Sequence, residues 1–289
     1  MQETTRNGWR KFGYFCLAFV PLILYFVITF GVSMVLSILV AVRGILEGQE
    51  DLFTYIMEGT VNSSMLAGVI YASLGIICLG LWYYFGCKRK NLKPPKSVVN
   101  PVNLLCIAVF AFAMQYVTNY LMAVIDLLMP RAMDAYEELI ELAGVGEVTL
   151  TGILYGVILG PIAEELCFRG VTLFYAQKAT GRFWLANILQ AAAFGIMHMN
   201  LVQGLYAFVL GLAMGWVYHR FHSLYATIWL HIFFNFLAYG PLVAFDGLLP
   251  ENAVFRIAWA AFTGALAIGM LLVLTKRTAV PKVDSGAEA

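Results

Sequence analysis

Charge is what this sequence has least of. Only 12% of its 289 residues are Asp, Glu, Lys or Arg, against about 25% in a soluble domain. Such a chain cannot wet its own surface, and with 61% hydrophobic residues and a mean hydropathy of +0.80 its solvent must be lipid. The formal net charge of +1 leaves no basic excess for phosphates, so no nucleic-acid partner is expected. The five cysteines, Cys16, Cys78, Cys87, Cys106 and Cys167, show no paired spacing. They read as small apolar residues, with no disulfide framework and no thiol nucleophile. No H-E-x-x-H run is present, and no duplicated motif or matched pair of broken helices of the kind transporters carry. The first apolar run is too long for a signal-peptide core and is expected to stay in the mature protein.

What is present is a series of long apolar runs. A membrane-crossing helix needs roughly 20 mainly apolar residues. Eight runs meet that need, at roughly 13–42, 64–87, 101–130, 149–177, 183–200, 203–219, 223–244 and 253–275. The expected fold is therefore all-α: a polytopic membrane protein of about eight transmembrane helices. Pro161 should kink the fourth, and residues 131–147 suit a short amphipathic surface helix. Basic residues recur in every second loop: Arg6, Arg10 and Lys11; Lys88, Arg89, Lys90, Lys93 and Lys96; Lys178 and Arg182; Arg220; Lys276, Arg277 and Lys282. The intervening loops are mostly acidic, with Glu47, Glu50 and Asp51, then Asp134, Glu137, Glu138 and Glu141, then Asp246 and Glu251. By the positive-inside rule the protein lies in the cell membrane with both termini cytoplasmic.

An ionisable group at the bilayer centre costs at least about 2.5 kcal/mol, so each one is a functional candidate. The fourth run holds Glu164, Glu165 and Arg169, the fifth Phe194 and His198, the seventh His231 and Asn235, and the third Asp126. From the helix rise, Glu164 lies about 21 Å and His198 about 24 Å from the basic ends of their helices, with His231 and Asn235 at about 13 and 20 Å. Comparable depth on three helices implies one shared site. Glu165 and Arg169 are four apart and share a face, so they can form a structural ion pair. Glu164 is five from Arg169, off that face, and is left as the free carboxylate. His231 and Asn235, also four apart, can face one cavity. Asp126 sits near the outer end of its run, and His219 and His222 are interfacial. None of these three is expected to act in catalysis.

E-E-x-x-x-R, F-x-x-x-H and H-x-x-x-N, in that order on successive late spans, resemble the CAAX-processing and bacteriocin-processing membrane endopeptidases. Arg169-Gly170, which closes the first motif, is also similar. The resemblance covers roughly residues 150–240. It implies an intramembrane glutamic endopeptidase in which Glu164 and His198 activate a water and His231 and Asn235 stabilise the oxyanion. Glu165 and Arg169 would support them, with Phe194 as packing or substrate-pocket wall. The implied substrate is a membrane-associated peptide or protein tail, with no cofactor. The expected organisation is an N-terminal membrane region without motif (1–148), a catalytic core (149–245), a final span (246–278) and a disordered cytoplasmic tail (279–289).

Three other readings compete. Glu164, His198 and His231 suffice as the protein ligands of a catalytic zinc. A Glu/His relay also suits a proton-coupled transporter. A non-catalytic immunity scaffold is the third.

Overall fold

The computed structural model describes residues 2–87, 98, 100–142 and 148–278, with side chains from residue 7 onward. The basic cluster from Lys88 to Lys96, the end of the amphipathic stretch at 143–147 and the tail 279–289 lie outside the described residues. Among the described residues there is no strand. The helices are α1 (Gln2–Leu46), α2 (Leu52–Asn62), α3 (Ser64–Cys87), α4 (Pro101–Leu128), α5 (Pro130–Leu142), α6 (Leu150–Thr180), α7 (Phe183–Met197), α8 (Leu201–Phe221), α9 (Leu224–Ala238), α10 (Pro241–Asp246) and α11 (Ala253–Arg277).

Six of these, α1, α3, α4, α6, α8 and α11, are long and apolar enough to cross a membrane. At 15 residues each, α7 and α9 reach only about 22 Å. The apolar runs 183–200 and 223–244 are thus shorter as helices than as sequence. The first ends because the chain reverses at Met199, which takes a left-handed φ of 50°. Asn200 then caps α8 by accepting from the Gln203 N–H at 3.0 Å. The second ends before Gly240, whose φ of 146° only glycine adopts freely, and Pro241 starts the separate α10.

Two packed clusters share α8. One joins Ile107, Phe110 and Met114 of α4 to Met214 and Val217 of α8, Leu230 and Phe234 of α9, and Leu274 of α11. The other joins Leu22 and Tyr25 of α1 to Leu79 of α3, Phe168 of α6 and Phe194 of α7. Small residues let the backbones close. A Cβ on Gly195 would stand 2.6 Å from the Gly204 carbonyl oxygen, and one on Gly215 would meet Asn187 Oδ1 at 1.8 Å. Such close approach substitutes for the hydrophobic drive that lipid removes. Outward, α1 and α11 present rows of exposed Phe, Ile, Leu and Val, as lipid contact requires. The chain is an all-α, multi-pass membrane protein.

Candidate active site

The fourth span is where the backbone departs from plain α-helix. Residues 153–159 and 166–172 are π-helical and flank Gly160–Glu165. Widened turns of this kind are frequent at functional sites. Pro161, which has no N–H to donate, shapes the first of them without breaking the helix. The Gly160 N–H reaches back to the Tyr155 carbonyl, and Pro161 offers nothing to the next one. The freed Gly156 carbonyl accepts instead from Asn235 Nδ2 at 2.8 Å. A helix irregularity thereby fixes the side chain of a motif residue 79 positions away.

Below it lies a buried chain of ionisable groups. Arg169 Nη1 stands 2.8 Å from Glu165 Oε1, with both side chains fully buried, so the spacing-based ion pair forms. The same carboxylate oxygen accepts from His231 Nδ1 at 2.9 Å. His231 Nε2 then faces Glu164 Oε2 at 3.6 Å. Glu164 is therefore not isolated, as its position off the Arg169 face suggested; it has a histidine neighbour, at a distance too long for a direct hydrogen bond. The order along the chain is guanidinium, carboxylate, imidazole, carboxylate. Because Nδ1 gives its proton to Glu165, His231 donates through Nε2 only as an imidazolium.

Phe194 organises the rest. Its ring lies edge-on to His198 at 5.1 Å and to His231 at 5.8 Å, and the Arg169 guanidinium carbon sits 4.6 Å from its centroid. His198 Nδ1 donates to the Phe194 carbonyl at 2.9 Å. In the neutral ring this leaves Nε2 as an acceptor. Glu164, Phe194, His198, His231 and Asn235 all line one cavity of about 520 Å³, within the ordinary range for ligand sites. Of their side chains, Glu164 is 14% and His231 4% exposed.

Arg169 and Glu165 lie beneath this cavity, outside its wall. Arg169 Nη2 also reaches the Gly211 carbonyl at 3.3 Å, beside Gln190 Nε2 at 2.9 Å, tying α6 and α7 to α8. Asp126 is exposed on α4, and His219 stacks on Phe183 at 3.9 Å; like His222, neither lines the cavity. The motifs give no hint of the tyrosines. Tyr71 and Tyr155 join hydroxyls in the cavity wall, and Tyr25 lies edge-on to Tyr71 at 6.1 Å. Tyr25 and Tyr71 come from the motif-free region 1–148. The only signal for them in sequence is tyrosine within otherwise apolar spans. Among the described residues no three His, Cys, Asp or Glu side chains are placed to hold a metal ion.

Comparison with known proteins follows the same segment. Residues 146–237 match the family described as Type II CAAX prenyl endopeptidase Rce1-like. A Bacillus subtilis (strain 168) protein named Putative membrane peptidase YdiL is 30% identical over 83 residues, 29% of this chain and 34% of that protein. The match thus spans about a third of that relative. No solved structure matches. The region holding Glu164, His198 and His231 is thus similar to the Rce1-like family.

Proposed function

We propose that this chain is a membrane-embedded peptidase that hydrolyses a peptide bond of a membrane-associated peptide or protein tail. The observation that carries this reading is the convergence of Glu164, His198, His231 and Asn235 on one cavity, in a segment similar to membrane endopeptidases.

Peptide hydrolysis requires a base for water, a proton for the leaving amine and donors where negative charge develops. In our reading Glu164 takes a proton from a water held between it and His198 Nε2 as the water oxygen attacks the carbonyl carbon. The resulting oxyanion meets His231 Nε2–H and the second N–H of Asn235. The first Asn235 N–H stays on Gly156, which keeps the amide oriented. Glu164 then passes its proton to the amine nitrogen, the C–N bond breaks, and an acid and an amine leave. Glu165 holds the His231 ring, much as the carboxylate of a catalytic triad holds its histidine, and Arg169 holds Glu165. No cofactor enters these steps. Both termini are assigned to the cytoplasm by loop charge.

The test is a substrate trap in membranes. Glu164→Gln should retain peptides that the parent cleaves, and the parent should cleave the retained peptides after purification. Retained peptides that the purified parent leaves intact would contradict the peptidase reading. Loss of cleavage on chelation, restored by zinc, would move the mechanism to a metal-bound water.

A further inference from the structure

The cavity is one-sided. Neighbouring spans run in opposite directions, so the first half of α6 and of α8 lies level with the ends of α7 and α9. Beyond Tyr25, Phe26 and Thr29 from the middle of α1, most lining residues come from those parts: Tyr155 to Glu164 in α6, Gln203 to Leu210 in α8, Phe194 to Met199 at the end of α7, and His231 to Tyr239 at the end of α9. Tyr71, near the start of α3, and Tyr136 and Ile140 of α5 complete the same end. Met199, at the mouth, is 68% exposed. The other end is plugged. Glu165, Phe168, Arg169, Asn187 and Gln190 are fully buried there. Asn187 and Gln190 are bound to the Leu212 and Gly211 carbonyls at 3.0 and 2.9 Å.

The two faces differ in charge. On the open side lie Glu47, Glu50 and Asp51, the exposed Asp134, Glu137, Glu138 and Glu141 of α5, and Asp246 and Glu251. Basic residues on that side are few: Arg43, bound to Glu47 at 2.7 Å, Arg131 and Arg256. The plugged side carries Arg10, Lys11, Lys178, Arg182, Arg220, Lys276 and Arg277. Basic loops stay in the cytoplasm.

From these observations we infer that the substrate reaches the site from the extracytoplasmic side, as an uncharged, apolar peptide segment at the outer leaflet and not as a tail presented by the cytosol. This rests on the peptidase reading above. Among the described residues, no Asp, Glu, Lys or Arg other than Glu164 lines the cavity. An acidic side chain entering it would face the Glu164 carboxylate, and a basic one would neutralise it. The aromatic wall of Tyr25, Phe26, Tyr71, Phe194 and Phe234 suits apolar side chains, and about 520 Å³ holds a few residues in extended form, not a folded domain.

The test uses the full chain in right-side-out and inverted membrane vesicles. The five native cysteines are replaced, and single cysteines are added as Met199→Cys at the mouth and Lys178→Cys as the opposite-face control. Gln203→Cys serves if Met199→Cys fails to insert. A membrane-impermeant thiol reagent should label the mouth cysteine only in right-side-out vesicles and the control only in inverted ones. The reverse pattern, or equal labelling of the mouth from both sides, overturns the inference. In the second arm an impermeant quenched-fluorescent apolar peptide mixture is added to vesicles of the parent. Hydrolysis in right-side-out vesicles alone is expected; hydrolysis in inverted vesicles alone overturns the inference. Hydrolysis in neither, with the labelling as expected, counts against the peptidase reading and leaves the side of access standing.

Discussion

Arg169→Ala removes a side chain that is fully buried and has three partners: Glu165 at 2.8 Å, the Gly211 carbonyl at 3.3 Å and the Phe194 ring at 4.6 Å. Breaking a buried pair by deleting one partner costs about 3–5 kcal/mol, chiefly because the other charge stays buried. Here Glu165 keeps His231 at 2.9 Å, which sets the expected loss at the lower end, about 3 kcal/mol. For a domain of this size, about 2–4 °C per kcal/mol makes that a fall of about 6–12 °C in the melting temperature. The assay is thermal unfolding of detergent-purified protein, followed by fluorescence-detected size exclusion, with peptidase activity measured on the fraction still folded. Glu165→Gln with Arg169→Met should recover part of the stability, since no lone charge remains, though not the activity, since His231 loses its carboxylate. An Arg169→Ala protein as stable as its parent yet inactive would refute the ion-pair reasoning. Arg169 would then belong with the substrate, on a C-terminal carboxylate, which an arginine fork suits; peptides amidated at that end would then be poor substrates.

Glu164→Ala, His198→Ala and His231→Ala should each abolish proteolysis while the protein still folds and inserts, as judged by cleavage assay beside size exclusion; near-parental cleavage by any of them removes that residue from the mechanism. Asn235→Ala should lower turnover by about 10²–10³-fold, as for one lost oxyanion donor, with little change in KM; weaker binding with intact turnover would make Asn235 a substrate-holding group. Gly195→Ala pushes a Cβ to 2.6 Å from the Gly204 carbonyl, so α7 and α8 must separate, at a cost of about 1–3 kcal/mol; an unchanged melting temperature would mean that this contact is not tight.

How much of this was legible in the sequence depended on distance along the chain. The Glu165–Arg169 pair follows from a spacing of four on one helix. The gathering of Glu164, His198, His231 and Asn235 follows from comparable depth on three spans. Neither the position of His231 between two glutamates nor the hold of Gly156 on Asn235 could be read, because each depends on how α6 and α9 meet. The second also needs a π-turn that hydropathy does not register. Tyr25 and Tyr71 were hidden because they lie in spans without a motif and reach the site only by packing. The apolar runs at 183–200 and 223–244 outlast their helices because apolar residues continue past the helix ends at Met197 and Ala238, where the backbone turns at Met199 and Gly240 decide and hydrophobicity does not.

The central claim is that water, activated at Glu164, cleaves a peptide bond within the membrane. Its most direct measurement is mass spectrometry of peptides retained by Glu164→Gln, after incubation with purified parent protein in heavy-oxygen water. Expected are two fragments, with one heavy oxygen in the newly formed carboxyl group, in reactions with the parent and none with Glu164→Gln or His198→Ala. Peptides left whole by the parent, or cleaved equally by Glu164→Gln, would contradict it.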